Sequence, residues 1–299
     1  MILHPQIETF LAILEEGSFD EAARRLSITP SAVSQRLRHL EDRLGTTLIV
    51  RASPPVPTPY GERLLARVRP MHLLAEETLR DFLPDGLDAV PRLAIVTPAD
   101  VLATWLMPVL ADFQAAHDVR LEILTDDQDH SLDLLRRGLV SGTITSDASP
   151  VQGARVRALG CLRYRAVASK DFLARYFPAG LTPEALRAAP VVAFNRKDAL
   201  QHRFAKQLFG DDFVLSDAHL HYFPSVQSAL DAARRGFGWA MAVDTLLDVD
   251  EPLLAPDAWL DVPLYWQASA VRSTLVDDLT KTLLAHSHRL YPMRASREN

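Results

Sequence analysis

Residues 18–45 read SFDEAARRLSITPSAVSQRLRHLEDRLG. Ser18 and Glu21 have the S-x-x-E spacing of a capping box, in which side chains satisfy the free amides of a helix start. Ala22, Ala23 and Leu26 give that helix a compact, mostly small apolar face. Ser27, Ile28 and Thr29 leave room only for a turn. Thr29 suits an N-cap, and Pro30 suits the first helical position, which needs no amide donor. Val33, Leu37, Leu40 and Leu44 come next at spacings of four, three and four, which predicts one inward stripe. Gly45 closes the helix. Two short helices at a tight turn, the second carrying small polar and basic side chains, form the arrangement that places a helix in the major groove of DNA.

The outward face of the second helix carries Ser31, Ser34, Gln35 and Arg38. Serine and glutamine hydrogen-bond to base edges, and arginine takes guanine O6/N7 or a phosphate. With Thr29, Arg36 and Arg51 these are the candidate DNA contacts. Between positions 24 and 51 stand six arginines against Glu41 and Asp42, a local net of +4 in a chain of net −6. An ordinary helical pair with a solvated face is the competing reading, and the residues beyond Gly45 favour DNA. Leu48, Ile49, Val50 and Arg51 form a short β-like run. Pro54, Pro55, Pro57 and Pro59 then make a stiff excursion that ends at Gly61. A strand and rigid loop after a recognition helix look like a wing, with Arg51 on the phosphate backbone.

The run from Ala22 to Gly45, then L-I-V-R at 48–51 and the Pro-rich stretch to Gly61, resembles the winged helix of LysR-type transcriptional regulators. The resemblance implies a homodimer paired through a linker helix. It also implies an effector domain like the type 2 periplasmic binding proteins, two dimers joined as a homotetramer, and contact with RNA polymerase. The expected organisation is a winged helix-turn-helix DNA-binding domain at 1–61, a linker helix and hinge at 62–90, and an α/β effector-binding domain at 91–299. Its lobe I would span about 92–162 and 268–299, and lobe II about 163–267.

The bulk numbers fit this division. At 299 residues two or three domains are expected, and 48% apolar with 23% charged residues is the balance of a soluble globular protein. MILHPQIETF lacks the basic and apolar regions of a signal peptide, and no apolar run reaches the roughly 18 residues of a membrane span. Cys161 is the only cysteine, so no intramolecular disulfide forms. A cytoplasmic location with no membrane partner is expected. Residues 1–70 carry a net of +1 and the remainder −7, so an acidic body repelled by DNA would help orient a DNA-reading end.

Outward from the wing, Leu64, Val68, Met71, Ala75, Thr78 and Phe82 alternate by four and three. That is a seam suited to a partner helix, with Leu64, Val68, Met71, Ala75 and Phe82 as the dimerisation candidates. Pro70 removes one backbone bond and is expected to kink the helix. Beyond Pro91, strands are predicted at 93–96, 119–124, 142–145, 164–168, 191–194, 239–243 and 264–268. Helices are predicted at 104–116, 131–139, 199–209, 225–235 and 273–290. This alternation implies α/β layers with largely parallel sheets.

In open α/β sheets ligands bind beyond the carboxyl ends of strands. That rule selects Thr97 and Asp100 ahead of Trp105, then Asp127, Asp129 and His130, then Thr145, Asn195, and Ser225 at a helix start whose amides suit a carboxylate. An α-amino acid needs an anion site and an ammonium acceptor, and a cationic side chain needs one more acid. Asp100, Asp127 and Asp129 are the candidate acids; Thr97, Asn195 and Ser225 are the polar clamps. No calcium loop or zinc-spaced histidine pair is present in the sequence, so no metal and no cofactor is expected. LATWLMP (102–108), DQDHS (127–131), VAFNRKD (192–198) and LDVPLYWQ (260–267) resemble the branch of the family that senses lysine and arginine and controls a basic amino acid exporter. A regulator of another small-molecule pathway and a constitutive DNA binder are the alternatives. An enzyme is not expected: Gly236, Phe237 and Gly238 are too short for a dinucleotide fingerprint, and no nucleophile elbow appears.

Overall fold

The computed structural model describes residues 4–82, 90–125, 128–216, 219–271 and 273–293, without the side chains of 80–82 and 128–130. The candidate Asp127 therefore lies outside the described residues, as do the side chains of Asp129, His130 and Phe82.

Three helices open the chain: α1 (Pro5–Glu16), α2 (Phe19–Arg25) and α3 (Pro30–Leu44). Ser18 and Thr29 cap their helices as the sequence suggests, but the capping box is only half made, because the Glu21 carboxylate pairs with Arg24. Ser18 Oγ accepts from the Glu21 amide at 3.0 Å, and Thr29 Oγ1 accepts from the Ala32 amide at 3.2 Å. Gly45 has φ +66°, a conformation that favours glycine, and its amide reaches the Asp42 carbonyl. Phe10, Ile13, Ala22, Val33 and Leu37 form the centre of this core. Leu44 departs from the predicted stripe, being 50% exposed. Eleven residues after Val33 its angular position is still inward. What fails is reach, because it sits in the last turn, where the helix runs past the core.

A two-stranded wing comes next, β1 (Ile49–Val50) and β2 (Val56–Pro57), antiparallel with Val50 opposite Val56. It is braced from the helices: Glu41 Oε1 accepts from the Leu48 amide at 2.7 Å, and Thr58 Oγ1 donates to the Thr47 carbonyl at 2.7 Å. Helix α4 (Pro59–Phe82) then runs 24 residues and remains helical through Pro70.

Two compact units divide the chain. The first gathers residues 1–97, 113–157 and 266–281, and the second gathers 98–112, 158–265 and the residues from 282 onward. This partition differs from the lobes expected from sequence. The winged helix and linker cluster with the first lobe, and 98–112 and the C-terminal segment belong to the second unit.

In the first unit, parallel strands β3 (Arg92–Thr97), β4 (Arg120–Thr125) and β5 (Gly142–Thr145) are ordered β4-β3-β5. The end of β10 (Leu260–Ser269) neighbours β5. Helix α5 (Gln128–Arg136) helps cover them over Val96, Leu132, Leu135 and Val140. Helix α4 is fastened to this body at two places. Arg137 pairs with Glu62, and Gly138 lies so close to the Ala66 backbone that a Cβ there would sit 2.4 Å from the Ala66 Cα. Farther along, Glu77 accepts from Ser273 Oγ at 2.5 Å and from the amides of Thr274 and Leu275 at 2.9 and 3.1 Å. It caps helix α6 (Thr274–His286) from outside that helix.

In the second unit β6 (Ala154–Val167) pairs antiparallel with β9 (Trp239–Val243), which pairs in parallel with β7 (Val191–Ala193). β8 (Leu220–Tyr222) forms the parallel edge beside β7. The antiparallel β6–β9 pair makes the sheet mixed where the sequence suggested mainly parallel pairing. Strands β6 and β10 are also longer than their apolar runs: β10 alternates in burial along its first half, and β6 begins with five residues that are not buried. Segment 98–112 is held by Trp105 Nε1, which donates to the His286 carbonyl at 3.1 Å. It contains a single π-helical turn at Leu102–Leu106, a feature that recurs at functional sites.

Candidate functional site

The DNA-reading face is built by burying the opposite side of α3. With Val33, Leu37 and Leu40 inside, Thr29, Ser31, Gln35 and Arg38 are exposed, and Ser34 and Arg36 are half-buried. Thr29 and Ser31 share a hydroxyl–hydroxyl bond of 2.9 Å at the helix start. Arg51 is exposed on the wing, its guanidinium 5.4 Å from the Phe19 ring centre, which orients it beside the start of α2. The local charge is more selective than a count suggests. Arg24 pairs with Glu21, and Arg25 pairs with Glu15 at 2.6 Å and Glu16 at 3.1 Å. Among the described residues Arg36, Arg38, Arg43 and Arg51 have no acidic partner, so these four carry the positive field.

Helix α4 divides its apolar positions. Val68 is buried in the N-terminal core and Leu64 packs against it, so these two dimerisation candidates are used within their own domain. Met71 is 53% exposed and Ala75 half-buried. The exposed row is Tyr60, Arg63, Arg67, Met71, Leu74 and Thr78. Leu74, 42% exposed, falls outside the seam predicted from sequence because that heptad is set one position around the helix.

Among the ligand candidates, Thr97 and Thr145 are buried in the first unit, where Thr145 Oγ1 accepts from the Asp147 amide at 3.2 Å. The second unit holds Asp100, Trp105, Asn195 and Ser225. The Asp100 carboxylate accepts from the Val101 amide at 2.8 Å and from the Tyr164 hydroxyl. Burial raises its pKa above the ordinary carboxylate range; the bonds from Tyr164 and Val101 oppose the shift, and the charge of Asp198 adds to it. Burial and the neighbouring Asp100 push the Tyr164 phenol well upward. No lysine or arginine pairs with Asp100 among the described residues.

Asn195 shapes the neighbouring loop. Its Oδ1 accepts from the amides of Lys197 and Asp198 at 2.8 and 3.1 Å. Asp198 in turn accepts from the Phe194 and Leu200 amides and from Gln201 Nε2 at 2.9, 3.0 and 3.1 Å. Ser225 caps helix α7 (Val226–Arg234), accepting from the Ser228 amide at 3.3 Å. Trp105 lines a different pocket, whose wall does not include Asp100. Sequence reasoning misses Tyr164 and Asp198. Tyr164 lies mid-strand, where nothing marks a tyrosine as a carboxylate partner, whereas Asp198 stands in a loop that the strand-end rule already selects.

A winged helix-turn-helix joined to a long helix and an α/β body defines an effector-responsive DNA-binding regulator. Residues 4–62 match the bacterial regulatory helix-turn-helix protein, lysR family, and residues 88–287 match the LysR substrate binding domain. The chain belongs to the LysR family of transcriptional regulators, and its function is regulatory rather than enzymatic. It is 38% identical to the transcriptional regulator LysG of Mycobacterium tuberculosis over 96% of this chain and 94% of that protein. The crystal structure of ArgP from Mycobacterium tuberculosis superposes with a TM-score of 0.84 at 37% identity, covering 98% of this chain and all of that one. Full-length LysG from Corynebacterium glutamicum with bound effector arginine superposes at 0.74 with 34% identity, covering 97% and 100%. Among the described residues no helix is long and apolar enough to cross a membrane.

Proposed function

We propose that this regulator senses a basic amino acid, arginine or lysine, and controls the gene of a basic amino acid exporter in the cytoplasm of a bacterium. The observation that carries the reading is Asp100, a desolvated carboxylate with no cationic partner among the described residues. Asp100 is only half-buried by surface exposure, yet the protein packed around its carboxylate desolvates it; a desolvated acid without a countercharge is costly, and a ligand ammonium or guanidinium removes that cost. LysG of Corynebacterium glutamicum, which binds arginine, supports the choice of ligand. In the unit that holds Asp100, Asn195 and Ser225 are the polar frame of this reading. Thr97, Thr145, Asp127, Asp129 and His130 enter it as candidates drawn from the sequence alone. Trp105 backs the segment that bears Asp100.

On the DNA side, Gln35 and Arg38 read bases, while Thr29, Ser31, Ser34, Arg36 and Arg51 position the duplex. Two chains pair along the exposed row of α4, placing two recognition helices in successive major grooves, and two dimers associate as a tetramer. Ligand acts by binding one assembly geometry better than another, because equal affinity for both shifts nothing. The altered DNA bend then changes contact with RNA polymerase. The test is to select binding sites from random duplex DNA with the purified chain and measure their affinity with and without arginine. Selection of one motif with an inverted-repeat core, and an affinity or footprint that changes with arginine or lysine but not with neutral norleucine, is the expected result. A motif indifferent to every amino acid would instead favour the constitutive binder.

A further inference from the structure

The second unit contains a pocket of about 200 Å³ that the reading of Asp100 does not use. Its walls are Trp105 and Pro108 on the 98–112 segment, Leu162 on β6, Val243 at the end of β9, and Leu290 and Tyr291. Trp105 presents ring rather than polar surface here, because its Nε1 is engaged by the His286 carbonyl. At 200 Å³ the space is below the roughly 300–1,000 Å³ of sites for drug-sized molecules, which limits the occupant to a small one.

The charged groups at the pocket are unequal. Arg163 is neutralised: it donates to both oxygens of Asp261, at 2.8 and 3.0 Å, and lies 4.5 and 3.8 Å from the ring centres of Trp259 and Tyr291. Asp244 is also answered, by the Tyr291 hydroxyl at 2.5 Å and by Arg165 at 3.8 Å. Arg289 is different. It is exposed, lines the pocket and has no acidic partner among the described residues. The chemistry is a mainly apolar chamber, edged by the hydroxyls of Thr104 and Thr245, with one uncommitted guanidinium.

We propose that this pocket is a second small-molecule site, for a compact amphipathic monocarboxylate whose apolar body lies against Trp105, Leu162 and Leu290 and whose carboxylate pairs with Arg289. A guanidinium matches a carboxylate through two parallel bonds, which a neutral amide cannot reproduce. The pocket wall and Asp100 share one short segment, in which Thr104 Oγ1 donates to the Asp100 carbonyl at 2.6 Å. The site nevertheless stands on its own lining and does not depend on the identity of the ligand at Asp100.

The test is calorimetry on the full-length chain with phenylacetate as probe, and with phenylacetamide and phenethylammonium as the neutral and cationic counterparts. Saturable phenylacetate binding that is at least about ten-fold tighter than either counterpart is expected. Arg289→Gln should weaken it about ten-fold, and Thr245→Trp, a bulky residue at the exposed rim, should abolish it. Both positions are at the surface, and an unchanged melting temperature for the two variants verifies their fold. Excess arginine should leave phenylacetate binding in place. The proposal is overturned by no saturable binding, by equal binding in both folded variants, by preference for the amide or the amine, or by competition from arginine.

Discussion

Asp100 shows how burial and hydrogen bonding divide the behaviour of one side chain. Its raised pKa means that the folded protein holds the proton more tightly than the unfolded chain does. Its ionisation therefore costs stability, and this contribution falls as pH rises from the ordinary carboxylate value through the raised one. Asp100→Asn should raise the melting temperature of the ligand-free protein at neutral pH, flatten that part of its pH profile, and remove the arginine-induced shift. A lower melting temperature with the arginine shift retained would contradict the role. On α3 the contrast is between neighbours. Gln35→Ala and Arg38→Ala should each weaken specific DNA binding by about 1–3 kcal/mol without changing the fold, as footprint titrations would report. Leu37→Ala, at 1% exposure in the core, should instead destabilise the protein by about 2–5 kcal/mol in denaturant melts. Which α3 residues face the core and which face outward is legible from sequence, because helical periodicity separates the two faces. The Tyr164 contact is not, because it joins residues 64 positions apart.

At the scale of elements, α4 is the connection between the DNA reader and the effector body. Two of the contacts that fasten it, Glu62 with Arg137 and Glu77 with Ser273, are polar and invisible to apolar periodicity. Glu77 supplies a side-chain cap to a helix that begins almost 200 positions later in the chain. Glu77→Ala should cost about 0.5–2 kcal/mol in unfolding experiments, the usual effect of losing a cap. It should also raise amide exchange at the start of α6. Unchanged exchange there would show that the cap is not holding that helix. The exposed row on α4 makes a separate prediction. Met71→Glu together with Leu74→Glu should drive the protein to monomer in sedimentation analysis while leaving the single-chain fold intact. A dimer of undiminished stability would place the interface elsewhere. Sequence spacing sets this seam one register around, with Val68 and Leu64 in it. The winged helix takes those two because its small core needs them.

For the whole molecule, the order of elements is legible in sequence. Caps, a tight turn, a proline-rich wing and strand–helix alternation each have local signatures. The partition into compact units is not, since residues 98–112 and the C-terminal segment join the second unit through contacts such as Trp105 with the His286 carbonyl. The candidate effector residues are legible as a set of loops, but the desolvation of Asp100 is not, because it depends on packing that no local pattern encodes. The central claim is that this LysR-family chain is governed by a basic amino acid. Calorimetric titration of the full-length protein with arginine and lysine, beside their neutral counterparts citrulline and norleucine, tests it most directly. The account predicts saturable binding of at least one basic amino acid, lost in Asp100→Asn, and none of either neutral analogue. Binding of citrulline or norleucine as tight as that of arginine or lysine, or no binding of either basic amino acid, would contradict it.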